Sequence, residues 1–143
     1  MIFLIECNTK LDIVGCTESS KIEDVYGCEN VYDRNDSSNW STQWGAKPEW
    51  LNLSLAGVFN ISQLRVKQGL NANNRFKDII LEFQNNMKIE RQLKNTKNWT
   101  DVILNHTIQS SYVKLEGSNH HGMDKGVKMI YELQIFGCNI GNK

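Results

Sequence analysis

Residues 40–83 decide the fold of this chain, and they read WSTQWGAKPEWLNLSLAGVFNISQLRVKQGLNANNRFKDIILEF. Apolar side chains recur at about every second position in three runs: Leu51, Leu53 and Leu55, then Ile61, Leu64 and Val66, then Ile79, Leu81 and Phe83. Such alternation is typical of antiparallel strands that are buried on one face. The segments between the runs are rich in Trp, Asn, Gly and Arg, as are loops that contact a ligand. The stretch therefore predicts a β-sheet protein with binding loops.

Length and charge limit the functions that the chain can have. Its 143 residues and 16.4 kDa are the size of one domain with its own core, so we treat residues 1–143 as a single domain. The 16 Lys and Arg balance the 16 Asp and Glu, and a net charge of +0 offers no basic face for nucleic acid. No apolar run approaches the roughly 20 residues that a membrane-spanning helix needs.

Eight short strands are predicted, and no amphipathic helix of three turns stands out. They are residues 12–20, 49–55, 60–68, 75–84, 88–93, 99–104, 111–116 and 127–136. Residues 23–39 form an irregular polar connection, residues 56–57 a turn, and residues 84–86 an amide-rich tight turn. The number and spacing of the strands predict an all-β fold, an eight-stranded antiparallel β-sandwich or jelly roll.

The directions of successive strands predict which loops share one end of the sandwich. Because antiparallel neighbours run in opposite directions, consecutive loops alternate between the two ends. Residues 40–48, 68–74, 95–98 and 117–126 then lie at one end, which we call end A, and residues 56–57, 85 and 106–109 lie at the other. End A collects the aromatic, amide and basic loop residues Trp40, Trp44, Asn71, Asn73, Asn74, Arg75, Asn119, His120 and His121, together with Asp124.

Cysteines and glycosylation sequons favour an oxidising, extracellular setting. The four Cys are an even number and lack the C-x-x-C spacing of zinc sites. Disulfides persist in secreted proteins, so we expect a secreted chain. Residues 1–10 are too short, and too early interrupted by Glu6, for a signal peptide. The alternatives are therefore a leader upstream of Met1 or a cytoplasmic protein. Asn-x-Ser/Thr sequons begin at Asn35, Asn39, Asn52, Asn60, Asn98 and Asn105, although an Asn-rich chain also acquires such triplets by chance.

Several motifs occur in an order and spacing typical of one known family. They are G-C-T-E-S-S, Y-G-C-E-N-V-Y-D-R-N-D-S-S-N-W, W-S-T-Q-W-G-A-K-P-E-W-L-N-L-S-L-A-G, N-I-S-Q-L-R-V, R-F-K-D-I-I-L-E-F, N-W-T-D-V-I-L, S-Y-V-K-L and Y-E-L-Q-I-F-G-C. Over residues 12–138 the chain resembles the coagulation-factor 5/8 type C, or discoidin, domain. The resemblance implies a galactose-binding-like jelly roll. It also implies non-catalytic binding of glycans, anionic phospholipid headgroups or protein partners through loops at one end.

Carbohydrate recognition is the function that we favour for end A. A sugar needs an aromatic face and polar side chains that pair with its hydroxyls. The candidate ligand-binding residues are Trp44, Asn71, Asn73, Arg75, Asn119, His120 and His121. Arg75 also has two structural interpretations, since it begins a strand and is either solvated or paired with Asp78.

A phospholipid surface makes a different demand, namely exposed apolar side chains beside Lys or Arg. End A offers Trp40, Trp44, Leu70 and Met123 with Lys47, Lys97 and Lys125. The polar amides outnumber these apolar residues. Lectin-like binding of a glycan or glycoprotein is therefore favoured, with an anionic phospholipid surface or a protein partner as the alternative.

The four tryptophans are assigned different roles from their positions. Trp50 leads the 49–55 strand and is expected in the core, and Trp99 begins a strand and is expected to pack. Trp40 matches a family position that usually packs beneath the loops. Trp44 has no periodic partner, so it is the tryptophan that we expect to contact a ligand.

The resemblance also implies a structural Ca²⁺ site. Family members often hold the ion with backbone carbonyls, an Asp, a hydroxyl and a Glu of the last strand. The matching residues are Asp33, Asp36, Ser38 and Glu132, all oxygen donors as a hard cation requires. Arg34 replaces the usual Gly; a positive φ there would strain an Arg, and its charge opposes a cation. Adjacent His120 and His121 make a poor zinc site, since neighbouring side chains diverge.

A disulfide often joins the two ends of domains in this family. Cys7–Cys138 is the natural analogue here, and Cys16–Cys28 is then the second pair. The competing pair is Cys16–Cys138, and sequence alone does not choose among the three connectivities that four cysteines allow.

Catalysis has little support in the sequence. There is no G-x-S-x-G, no H-E-x-x-H and no glycine-rich phosphate loop, and the one polar cluster, around His120, lies in a loop. We therefore expect no enzyme activity. A further hypothesis is an intracellular adaptor, which predicts reduced cysteines. A single domain that binds weakly gains from multivalency, so the sequence is also compatible with an oligomer.

Overall fold

The order of strands in the sheet is β1-β8-β4-β7-β5-β6, with β2 paired to β4 and β3 to β8. A computed structural model describes residues 6–43, 48–122 and 126–141. Its strands are β1 (Thr9–Leu11), β2 (Ile13–Glu18), β3 (Trp40–Ser41), β4 (Trp50–Gln68), β5 (Phe76–Phe83), β6 (Met87–Gln92), β7 (Trp99–His120) and β8 (Met129–Asn139). Short 3-10 helices are Asp24–Tyr26, Cys28–Tyr32, Ala72–Asn74 and Gln84–Asn86. All strand pairs are antiparallel, so the predicted all-β, eight-stranded antiparallel fold is confirmed.

Two long strands, β4 and β7, form the central ladder of the fold. Their pairing runs from Trp50 opposite Glu116 to Lys67 opposite Trp99, with two shifts of register on the way. The first half of β4 also pairs with β2, whereas its second half pairs with β8. Side chains from both halves belong to one core cluster. The strand therefore passes from one layer of the sandwich to the other.

Two predicted breaks between strands are wrong. The turn predicted at residues 56–57 and the loop predicted at residues 106–109 both lie inside continuous strands. Bulges take up the extra residues at these places, and in β7 the register with β4 shifts between Ile103 and Ile108. A strand that crosses from one layer to the other brings the chain back toward the end from which it came, as a turn does. The loops therefore still gather at the predicted ends. The sequence also missed β1 and β3, because strands of three and two residues show no periodicity.

Alternating side chains fill the core, and they place two tryptophans differently. Trp40 is buried, and its ring centroid lies 6.4 Å from that of Phe76, as expected for packing beneath the loops. The prediction that Trp50 lies in the core is wrong: Trp50 is half-buried, and Lys114 Nζ lies 4.9 Å from its ring. The reason is the strand period, since Leu51 faces inward and its neighbour must face outward. Trp99 packs on the outer face, with the Arg65 guanidinium 4.6 Å from its ring.

Two disulfides close the chain on itself. They join Cys7 to Cys138 and Cys16 to Cys28, with Cα atoms 4.8 and 6.2 Å apart. The pairing that the family resemblance implied is confirmed, and Cys16–Cys138 is excluded. The carboxylate of Glu29 lies within 4.8 Å of the second pair of sulfurs, but disulfide sulfurs are not the thiolates that a metal requires. No helix in the described ranges is long and apolar enough to cross a membrane.

Candidate functional site

Hydrogen bonds between loops show that the described part of end A forms one surface. Gly69 N donates to Met129 O at 3.0 Å, and His121 N donates to Arg75 O at 3.2 Å. The His121 ring Nε2 lies 2.7 Å from Leu93 O. The described parts of the 68–74 and 117–126 loops therefore lie together, as predicted, and a Cβ placed on Gly122 would lie 2.7 Å from Asn73 Cα.

A groove of about 770 Å³ opens between these loops. Amide side chains supply the polar part of its lining: Asn71, Asn73 and Asn74. Aromatic and apolar side chains supply another part: Ile22, Tyr26, Val127 and Met129. The groove thus offers hydrogen-bond donors and acceptors next to a surface that can pack on C–H groups.

Arg75 fixes the start of the loop that carries these three amides. The side chain is only 7% exposed, and its Nε donates to Gly69 O at 2.8 Å. One terminal nitrogen donates to Leu70 O at 2.7 Å and the other to Asn95 Oδ1 at 2.8 Å. The two structural interpretations of Arg75 are both wrong. Its side chain is not solvated, and its hydrogen bonds are made to loop residues and not to Asp78. The ligand contact expected of this residue stays a prediction.

Asn73 is held from two sides. The buried Lys128 donates from Nζ to Asn73 O at 2.7 Å, which pairs a charge that would otherwise be costly to bury. A Cβ placed on Gly122 would lie 2.7 Å from Asn73 Cα and 2.1 Å from Asn73 Oδ1, so this close approach requires glycine. Asn74 Nδ2 also donates to Val127 O at 2.9 Å. The turn that carries Asn73 is therefore formed before any ligand arrives.

The remaining candidate residues point to different neighbours. The His120 ring lies 5.7 Å from that of Phe76, whereas His121 reaches a main-chain carbonyl. The two side chains diverge, as the sequence predicted. Asn119 is exposed, and its Nδ2 donates to Asp78 Oδ2 at 3.1 Å. Trp44 lies outside the described residues, as do Lys47, Met123, Asp124 and Lys125.

Sequence reasoning missed the apolar part of the groove. Tyr26 lies in the 3-10 helix Asp24–Tyr26, within the 23–39 region treated as an irregular connection, and Ile22 lies just before that region. An aromatic and a β-branched residue in an otherwise polar segment were the available signal. Hydrophobic periodicity does not detect such a segment, because a 3-10 turn of three residues is too short to repeat.

The residues predicted to bind Ca²⁺ are brought together in two pairs. Ser38 Oγ donates to Asp33 Oδ2 at 2.5 Å. Burial raises the pKa of the Glu132 carboxyl above its ordinary value, and the neighbouring carboxyl group of Asp36 raises it further. All four side chains offer the oxygen donors that Ca²⁺ prefers, but the three carboxylates do not form one close group among the described residues.

Arg34 has a positive φ, which is the condition under which an arginine at this position is strained. Its φ is 63°, in the left-handed region that glycine adopts without strain. The side chain lines a small cavity of about 230 Å³ together with Glu132. The loop therefore keeps its shape with an arginine in place of glycine.

Comparison with known proteins gives both a family and a set of similar structures. The family model described as "F5/8 type C domain" matches residues 15–133. The fold is similar to a family 32 carbohydrate-binding module of Clostridium perfringens NanJ in complex with galactose, at a TM-score of 0.72 and 18% identity over 85% of this chain and 92% of that one. No curated protein sequence matches the chain.

Two further structures are similar at the same level. One is a module from Clostridium perfringens in complex with GalNAc-β-1,3-galactose, with a TM-score of 0.71 and 19% identity over 86% of this chain and 94% of that one. The other is chitosan-binding module 2 from a chitosanase/glucanase of Paenibacillus sp. IK-5 in complex with chitotriose, with a TM-score of 0.70 and 14% identity over 86% and 95%. Identities this low establish the fold, and the match of the family model establishes the family. The chain belongs to the F5/8 type C domain family.

Proposed function

We propose that this protein is a non-catalytic carbohydrate-binding module that holds a sugar in the groove at end A. One observation carries the proposal: the groove places the amides of Asn71 and Asn73 beside Tyr26 and Met129. Hydroxyl groups of a sugar pair with amides, and the C–H face of its ring packs on aromatic or apolar groups. The similar modules in complex with galactose, GalNAc-β-1,3-galactose and chitotriose support this assignment.

The rigidity of the groove supports the same function. Its volume of about 770 Å³ lies within the range of ligand pockets, about 300–1,000 Å³. Arg75 and Lys128 hold the backbone on which the amides stand. A site that is already formed spends little free energy on ordering when it binds, so a small polar ligand retains measurable affinity.

Binding of galactose, N-acetylgalactosamine and chitotriose, measured by isothermal titration calorimetry, tests the proposal. Asn71→Ala removes one hydrogen-bonding amide, worth about 1–1.5 kcal/mol, so affinity for the bound sugar falls about tenfold. Tyr26→Ala removes an aromatic part of the wall and lowers affinity by a similar factor. Gln109→Ala is the matched control, an exposed amide on β7 that leaves affinity unchanged. Failure of all three sugars to bind, or unchanged binding by both groove variants, refutes the proposal.

A phospholipid surface is the second candidate, and exposed apolar side chains on the rim of the groove favour it. Val25 is 69% exposed and Leu70 is 63% exposed, and they precede the groove residues Tyr26 and Asn71. Such side chains insert into the interface of a membrane. Sedimentation with phosphatidylserine vesicles separates the two candidates. Vesicle binding that Leu70→Ser abolishes, combined with no sugar binding, identifies the lipid function.

Ca²⁺ is proposed as a structural ion at Asp33, Asp36, Ser38 and Glu132. When bound, the ion supplies positive charge that ties the 33–38 loop to β8. Asp36 and Glu132 would hold it as carboxylates, Ser38 as a hydroxyl and Asp33 as the partner of Ser38. The melting temperature therefore rises with Ca²⁺ relative to EDTA, and it does so less in Glu132→Gln.

The proposed setting is extracellular. Two disulfides are typical of secreted proteins, and the partner expected there is a glycan or glycoprotein. Glycan arrays are multivalent, so a repeated or oligomeric arrangement of this domain increases avidity without new contacts. Surface plasmon resonance at low and high densities of immobilised glycan measures that gain.

A further inference from the structure

The structure separates the six sequons into two groups. Asn39 and Asn60 are buried. Asn52 lies in a central strand between Thr17 and Lys114, with its Oδ1 inaccessible to solvent. A glycan on the buried Asn39 or Asn60 is incompatible with the fold, and Asn52 has neighbouring strands on both sides. The exposed sequon residues are Asn35, Asn98 and Asn105.

In the sequon of Asn105, all three residues are exposed and lie in an irregular part of a strand. These residues, Asn105, His106 and Thr107, lie in β7 where its register with β4 shifts between Ile103 and Ile108. By contrast, Thr100 of the Asn98 sequon is buried, and Asn35 Oδ1 accepts a hydrogen bond from Ser37 N. Because Asn105 and both residues that follow it are exposed, a bulky substituent on its side chain can extend into solvent.

We propose that Asn105 is an acceptor of an N-linked glycan. This modification goes beyond sugar binding at end A and depends on the extracellular setting proposed above. The co-reactant is an oligosaccharide linked to a polyprenyl pyrophosphate, which the secretory pathway supplies. The Asn105 amide nitrogen forms a bond to C1 of the first sugar, and the bond from C1 to the pyrophosphate oxygen breaks. The pyrophosphate leaves with the electron pair and the amide nitrogen releases one proton.

The position of this glycan also explains how an exposed strand edge is protected. Ile103 is 65% exposed, whereas the next residue, Leu104, faces inward. Ile103 and Asn105 therefore lie on the same outward side of β7. Among the described residues, the segment 99–103 pairs with β4 and with no other strand. An unpaired edge with an exposed apolar side chain invites pairing between molecules. A glycan two residues from Ile103, about 7 Å along an extended chain, covers this edge.

Secretion of the chain from a eukaryotic cell line, behind an added signal peptide, tests the assignment. Peptide mass spectrometry before and after peptide-N-glycosidase F treatment measures the occupancy of Asn105. Thr107→Ala destroys the sequon but leaves Asn105 in place, and it removes one glycan from the protein. Thr107→Ser is the matched control, since it preserves the sequon and the glycan. An unmodified Asn105 in the secreted wild type overturns the proposal.

Self-association tests the protective role separately. Analytical ultracentrifugation detects more oligomer for secreted Thr107→Ala than for the wild type. The added change Ile103→Ser returns the double variant to the behaviour of the wild type. If Thr107→Ala sediments as the glycosylated wild type does, the protective role is wrong and the acceptor assignment stands on the mass spectra alone.

Discussion

Replacing Arg75 by alanine tests whether loop bracing, rather than direct contact, is the role of this residue at end A. The guanidinium makes three hydrogen bonds of 2.7–2.8 Å to Gly69 O, Leu70 O and Asn95 Oδ1. Hydrogen bonds to a charged group contribute about 1.5–3 kcal/mol each, and ordering a long side chain costs up to about 2 kcal/mol. Because the three bonds share one side chain and are not additive, we expect a loss of about 3–5 kcal/mol in the free energy of unfolding.

Urea unfolding, followed by tryptophan fluorescence, measures this loss. With a slope of about 1.5–2 kcal/mol per molar urea, the midpoint of Arg75→Ala falls by about 2 M. Arg65→Ala is the matched control, since Arg65 is half-exposed and pairs with Asp101 at 2.8 Å. A surface ion pair contributes about 1 kcal/mol or less, so the midpoint of the control falls by much less.

Sugar binding by the same two variants separates bracing from contact. If Arg75 is a brace, Arg75→Ala loses stability and affinity together, and galactose binding weakens because the Asn71 loop is no longer fixed. A variant that unfolds at the same urea concentration as Arg65→Ala refutes the bracing argument. If that stable variant also fails to bind sugar, Arg75 contacts the ligand directly, as the sequence suggested.

Four further changes test the metal loop and the groove. Arg34→Gly relieves the positive φ of 63° and raises stability by about 0.5–1 kcal/mol in thermal melts; an unchanged or lower melting temperature contradicts the strain. The pKa of Glu132 is higher in the folded protein than in the unfolded chain, so the folded protein binds this proton more tightly. The resulting stabilisation is complete at pH values below the unfolded pKa, and it is lost as the pH rises through the folded pKa. Glu132→Gln in EDTA is therefore more stable than wild type at neutral pH, and equal melting temperatures of the two proteins at every pH contradict this. Gly122→Ala pushes a methyl group into the Asn73 backbone and weakens sugar binding, whereas Gly57→Ala, with open space around its Cβ, does not. Leu70→Ser leaves sugar affinity unchanged if the groove binds carbohydrate, and calorimetry that shows a loss assigns Leu70 to the sugar site.

Strand content was predictable because it follows from a local period. Leu51, Leu53 and Leu55 alternate with polar residues, and the structure buries all three. The continuity of β4 was not predictable, because Ala56-Gly57 has the composition of a turn, whereas the pairings that continue the strand on either side of it join Ser54 and Phe59 to β7. Counting strand directions still located end A, since a crossing between layers and a tight turn both return the chain.

The individual site residues were harder to predict, because their roles depend on contacts between distant loops. Asn71 and Asn73 were found from their position in a loop between strands. From the sequence, Arg75 is a candidate for ligand contact. In the structure it donates hydrogen bonds to the main-chain carbonyls of Gly69 and Leu70, and the sequence does not show how that loop folds around it. Tyr26 was missed because it lies about 45 residues before Asn71 and shares no pattern with it. Local patterns place a residue on a loop, whereas its partners depend on the tertiary fold.

The bracing contacts at end A suggest why such a groove can change its ligand without changing its shape. Arg75 donates to the main-chain carbonyls of Gly69 and Leu70, and Lys128 donates to that of Asn73. Main-chain carbonyls are present whatever side chain a residue carries. The side chains at positions 71 and 73 are therefore free to differ while the backbone that presents them stays fixed. The specificity of the groove then depends on a few exposed side chains, whereas its shape depends on the buried cations of Arg75 and Lys128. We therefore expect substitutions at positions 71 and 73 to change which sugar binds while the free energy of unfolding changes little.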